Sequence, residues 1–258
     1  MKISEIRTYR LDEFPAMLFL ELQTDSGIVG ISENCIGAVT IEAFIHESIA
    51  PRLLGQDPTN ISLINEKLRN DFIGYSGSSI SVRAHSSIDI ALWDIFGKTL
   101  ELPVYRALGG PVRESIETYN TCAGPGYARV SSNIERDRAS QLGTNLGDSF
   151  EDLNMFLYDQ SRLVNELGEM GFRALKVWPF DQAAVDSGGR FIEPEALAAG
   201  VQVIKNIRVA AGPEFKIMLE MHSLWSTSVA LNIINATKEF DIYWYEDAIR
   251  IENSKALQ

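Results

Sequence analysis

The sequence predicts an α/β protein in two parts, an α+β domain over residues 1–112 and parallel βα units over 113–258. Three observations predict it. The first 35 residues read as strands separated by turn signals, with no helical stretch among them. Residues 40–110 carry helical patterning that ends on Gly109-Gly110. After Pro111, short apolar strands alternate with amphipathic helices, the pattern of a parallel sheet.

Each element has a local reason. Residues 2–11 and 16–25 are strand-like: Ile3, Ile6, Tyr9 and Leu11 approximate a period of two, and MLFLELQT is more continuously apolar. Asp25-Ser26-Gly27 is a turn, and 28–35 forms a third strand, closing an antiparallel meander. Thr40 is placed to cap a helix over 41–50, with Pro51 and Gly55 marking its end. Helices are expected over 60–71 and 80–98, and a short one in LPVYRALGG. In the second part, strands are expected over 116–122, 172–178, 216–221 and 241–246. Helices are expected over 153–170, 194–209 and 226–238, and 123–150 reads as loop. The last residues read as the start of another helix.

Composition narrows the function classes. A hydrophobic share of 45% with 22% charged residues is globular and argues against disorder. The net charge of −12, with no basic run, argues against nucleic acid as a partner. No segment reaches the roughly 18 apolar residues that would span a bilayer, and the N-terminus has no apolar signal core. With only Cys35 and Cys122, a disulfide framework is not expected and a cytoplasmic setting is.

In parallel α/β architectures ligands gather at the carboxyl ends of strands. The polar residues there are Lys176, Glu220 with His222, and Glu246 with Asp247. Glu220 and Glu246 are 26 residues apart, one βα repeat, which places them on neighbouring strands. Adjacent carboxylates repel unless protonated or bridged by a cation, and a hard dication with oxygen ligands, Mg²⁺ most naturally, is the simplest bridge. Taken singly, each residue has an ordinary explanation: a solvated glutamate, an ion-paired lysine, a hydrogen-bonded structural histidine. Trp178, Trp225 and Trp244 read as core residues, although Trp178 and Trp225, just past strand ends, could equally line a pocket. Cys122, His46 and His85 read as structural, and the Walker and dinucleotide glycine patterns are absent.

The stretch AHSSIDIALWDIFGKTLELPVYRALGG (84–110) resembles the signature of the mandelate racemase and muconate lactonizing enzyme group of the enolase superfamily. Ala84, Ser86, Asp89, Ala91, Asp94, Gly97, Lys98, Pro103 and Gly109 fall at the family spacing, while Ala107 stands where Leu is usual. The opening meander and helices resemble that family's capping domain, and GFRALKVW, IMLEMH and YWYEDA resemble the second, third and fourth strands of its barrel. The resemblance therefore implies a capping domain over 1–112 and the first part of a (β/α) barrel, C-terminally incomplete, over 113–258.

It also implies roles. Glu220 and Glu246 match the first two Mg²⁺ ligands, Asp247-Ala248 replaces the common Glu-Pro, and the third ligand and the catalytic His–Asp pair would lie past Gln258. By that reasoning, the 258 residues alone are expected to be inactive. The shared chemistry is abstraction of a proton alpha to a carboxylate, with Mg²⁺ stabilising the enolate. Lys176 matches the first lysine of the Lys-x-Lys motif, and Trp178 occupies the place of the second, which weakens a two-base racemase. His222 matches the general acid of the sugar-acid dehydratases, and the two-residue offset from Glu220 would put both on one strand face. Dehydration of an aldonate or aldarate to a 2-keto-3-deoxy acid is the leading expectation. Racemisation, epimerisation or cycloisomerisation of a related acid, or a non-catalytic binding protein, are the alternatives. Tyr75 and Asn34 are further candidates for substrate binding, and a homo-oligomer is expected because such barrel proteins often assemble. The extended segment 123–150 and the insertion at 179–190 are expected either to cover the site or to be mobile.

Overall fold

The computed structural model describes residues 1–70, 79–124, 152–250 and 255. These residues fall in two units, Met1–Ser115 and the described residues from Ile116 onward. In the first, β1 (Ile3–Leu11), β2 (Phe14–Thr24) and β3 (Val29–Cys35) form an antiparallel meander in that order. Leu18, Leu20 and Leu22 alternate along β2 and bury one face against the helices.

The long helix α4 (Ser79–Leu100) supplies Ala84, Ile88, Ala91, Leu92 and Ile95 to that core, at helical spacing. It sits directly on β3: a Cβ on Gly30 would lie 2.1 Å from the Ala91 carbonyl oxygen. Asp94 accepts the Ile31 N–H at 2.8 Å and the Lys98 ammonium at 2.7 Å, and Lys98 also donates to the Val29 carbonyl. The short helix α5 (Val104–Ala107) follows, and Gly109 and Gly110 both take positive φ. The helical segment before α4 departs from expectation. Helix α1 (Ala38–Phe44) begins at Gly37, so Thr40 lies inside it and caps nothing. Pro51 does not end the segment. The chain widens into a π turn over Ile45–Ile49, where the Ala50 N–H reaches the Ile45 carbonyl, and restarts as α2 (Ala50–Leu53) with Pro51 in its first turn. Proline has no N–H to give, so it is accommodated where a helix begins afresh. Helix α3 spans Ile61–Asn70.

The second unit holds a parallel sheet in the order β4 (Asn120–Thr121), β5 (Ala174–Val177), β6 (Lys216–Glu220), β7 (Ile242–Glu246). The first strand is shorter than expected: only Asn120 and Thr121 pair with β5, and Ile116 is exposed. The helix expected over 153–170 is two, α6 (Asp152–Tyr158) and α7 (Gln160–Glu169). They divide at Asp159, whose non-helical backbone and carboxylate, accepting the Arg162 N–H, start the second one. Segment 179–190 contains α8 (Asp181–Ser187). Helices α9 (Pro194–Ala211) and α10 (Thr227–Thr237) complete the βα alternation. Every residue of β5 is buried, as expected for a parallel strand covered on both faces. Among the described residues, no helix is long and apolar enough to cross a membrane. The expected helix at the end of the chain and most of the 123–150 loop lie outside the described residues.

Candidate functional site

Strand periodicity and register build the site. Lys176 is the third residue of β5, while Glu220 and Glu246 end β6 and β7 and are register partners. All three project from the same face of the sheet and meet. The Lys176 ammonium donates to Glu220 Oε2 at 3.0 Å and to Glu246 Oε1 at 2.6 Å. The side chains of Lys176 and Glu220 are 11% and 4% exposed. The remaining oxygens are also held. Glu220 Oε1 accepts the backbone N–H groups of Met221 and His222 at 3.1 and 2.9 Å, and Glu246 Oε2 accepts the Trp244 indole N–H at 3.0 Å. Trp244 precedes Glu246 by two residues and so shares its face, a spacing from which this contact was readable. Tyr119 stacks edge-on against Trp244, with the Lys176 ammonium 5.9 Å from its ring centre.

This arrangement fixes protonation. Burial works against the Lys176 cation, but its bonds to Glu246 and Glu220 outweigh it and raise its pKa. These bonds favour the protonated ammonium of Lys176. Burial likewise pushes Glu220 up, yet the His222 amide and the Lys176 ammonium pull it below its ordinary value. Two carboxylates against one ammonium leave one negative charge in excess.

His222 reaches the site by a route that strand alternation did not anticipate. Strand β6 ends at Glu220, and His222 and Ser223 have φ of 48° and 55°. That left-handed backbone, costly for non-glycine residues, turns the chain out of the sheet, so the two-residue offset does not set the side-chain direction. A contact does: His222 Nδ1 lies 2.7 Å from Oδ2 of Asp181, the first residue of α8. Burial lowers the His222 pKa, but the Asp181 bond and the charges of Asp181 and Glu220 outweigh it and the net direction is upward. Asp181 was missed from sequence. Its one signal is position, five residues beyond Lys176 at the start of a helical run after a strand end.

The other candidates are placed differently. Trp178 is 3% exposed and packs edge-on against both Phe156 and the His222 ring. Trp225 is a core residue. The amide of Asn34, in the first unit, donates to the Arg83 carbonyl and to Ser87, tying β3 to α4. Tyr75 lies outside the described residues. His46 meets the Thr8 hydroxyl at 2.7 Å, and Cys122 is buried in the core.

Fold and site together define a class: α/β proteins that gather charged groups at the carboxyl ends of parallel strands. The comparisons then specify it. Residues 13–109 match the family described as mandelate racemase / muconate lactonizing enzyme, N-terminal domain, and residues 160–258 match the enolase C-terminal domain-like family. The chain belongs to the mandelate racemase and muconate lactonizing enzyme group of the enolase superfamily. It is 32% identical over 258 residues to a D-galactonate dehydratase of Pectobacterium atrosepticum, covering 99% of this chain and 57% of that protein. A D-galactonate dehydratase of Ralstonia nicotianae is 33% identical over 259 residues, with the same coverage. An enolase of the mandelate racemase subgroup from Agrobacterium tumefaciens superposes with a TM-score of 0.80 at 35% identity, covering 100% of this chain and 61% of that one. The chain thus spans 57% of the length of the curated relatives it matches.

Members of this family typically use a divalent metal ion. The residues present fit two of the ligands of such an ion. Glu220 and Glu246 offer hard carboxylate oxygens that already converge on one cation, with an excess negative charge between them. Among the described residues no group of three or more His, Cys, Asp or Glu side chains is placed to hold a metal.

Proposed function

We propose that the whole protein abstracts the proton alpha to a carboxylate and dehydrates a sugar acid, an aldonate or aldarate, to a 2-keto-3-deoxy acid. The observation that carries this reading is the convergence of Lys176, Glu220 and Glu246 at adjacent strand ends. Glu220 and Glu246 would hold Mg²⁺, which when bound supplies electrostatic stabilisation for charge developing on the substrate carboxylate. Lys176, held protonated, adds a second positive charge there, and its two hydrogen bonds fix its position. His222 is the general acid: against the pull of burial, its bond to Asp181 raises its pKa, and its Nε2–H donates to the departing hydroxyl. The dehydratase relatives support this substrate class.

The test is a screen of the whole protein, with Mg²⁺ in D₂O, against aldonic and aldaric acids. Water loss is followed as 2-keto acid, and alpha-proton exchange by NMR. Dehydration of one acid, abolished by Lys176→Met, is the expected result. Alpha exchange without water loss would favour racemisation or epimerisation, and no exchange with any acid would remove the reading.

A further inference from the structure

Asp181 is a charged residue in direct contact with His222 to which the proposed reaction gives no part. It is 5% exposed, a costly place for a carboxylate. Its Oδ2 meets His222 Nδ1 at 2.7 Å, and its Oδ1 has no hydrogen-bond partner among the described residues. A residue serving only to start α8 would accept a backbone N–H of that helix, but among the described residues Oδ1 has no partner and Oδ2 meets His222. The carboxylate is directed at the imidazole alone.

The segment that carries Asp181 is clamped to the loop that carries His222 at a second point. Gly189 has φ of 71°, and a Cβ there would fall 1.8 Å from the Leu224 carbonyl oxygen. The Ser226 N–H donates to the Gly189 carbonyl at 2.9 Å. The Trp178 ring stands edge-on to the imidazole, with ring centres 5.5 Å apart. Residues 178–189 therefore hold the left-handed turn at His222 from both ends of α8.

We infer that Asp181 is a positioning residue for His222: by accepting Nδ1–H it fixes the ring orientation and tautomer, leaving Nε2 as the nitrogen that exchanges a proton with substrate. This rests on the dehydratase reading above. In the step it serves, the Nε2–H proton passes to the departing hydroxyl. The C–O bond breaks as its electron pair leaves with the oxygen as water, and the electrons of the enediolate form the new C=C bond. The imidazole is left neutral, with Nδ1–H still on Asp181. Without Asp181 the neutral ring favours the opposite tautomer and loses its fixed orientation.

The ring nitrogens report this directly. The chain has three histidines, so their ¹⁵N resonances can be assigned by substitution. In alkaline buffer, where the ring is neutral, His222 is expected to carry its proton on Nδ1 in the wild type. In Asp181→Ala it is expected on Nε2, and Asp181→Asn, whose amide oxygen can still accept, should retain much of the Nδ1–H form. A wild-type ring protonated on Nε2, or ring nitrogens unchanged in Asp181→Ala, would overturn the inference; the first needs no variant to fold. In the whole protein, Asp181→Ala should lower kcat for water loss about 10²-fold with KM little changed, while alpha-proton exchange persists. Equal loss of exchange and water loss would mark Asp181 as merely structural. If no acid is dehydrated, the substrate reading fails, while the ring nitrogens still decide the dyad.

Discussion

Helix α4 and the strand ends of the second unit both carry paired charged side chains, yet the charges do different things. In α4, Asp94 and Lys98 bind each other and the backbone of β3, through Ile31 N–H and the Val29 carbonyl. Their bonds close gaps in a structural seam, and Gly30 brings that seam to contact. At the strand ends, Lys176 bridges Glu220 and Glu246, with Lys176 and Glu220 buried and Glu246 partly so. The most family-specific stretch of the sequence is thus a docking motif. The buried charge cluster sits in three short strand endings, each ordinary when taken singly.

The contrast can be broken at either side. The largest effect is expected from Gly30→Ala, because its Cβ meets backbone that has nowhere to go. Unfolding free energy should fall by about 3–4 kcal/mol in urea titration. A loss under about 1 kcal/mol would mean that α4 does not bear on β3. Next is Lys176→Met, which leaves two carboxylates facing each other without a cation. A loss of about 2–3 kcal/mol is expected in chelator, and millimolar Mg²⁺ should restore part of it by binding the folded state. Recovery with no Mg²⁺ dependence would argue against a shared cation position. Asp94→Ala should cost about 1–2 kcal/mol by leaving the Ile31 N–H unpaired and Lys98 without its carboxylate, with no Mg²⁺ dependence. The smallest is chemical. Burial and the nearby Asp152 push the Cys122 thiol upward, so an aromatic disulfide reagent should titrate exposed Cys35 at once and Cys122 only on unfolding.

What was legible from sequence follows the range of the interaction. The meander, the long helix and the βα alternation are set by local period, and they stand where the residues place them. Lys176, Glu220 and Glu246 were legible because each interrupts an apolar run at a strand end, and one-repeat spacing puts two of them side by side. The π turn before Pro51 and the break at Asp159 were not, because both replace one helical hydrogen-bond pattern with another without disturbing the apolar period. The direction of His222 was not legible either. It depends on a left-handed turn just past β6 and on Asp181, 41 residues earlier in the chain. Tyr119 and Trp244 belong to the same neighbourhood, and only Trp244, at two residues from Glu246, carried a local sign of it.

The central claim is that Glu220 and Glu246 share one cation position, and calorimetric titration with Mg²⁺ tests it most directly. One saturable site per chain is predicted for the wild type, weakened at least tenfold by Glu220→Gln and by Glu246→Gln separately. Heats that are unchanged by either substitution, or that never saturate, would contradict it.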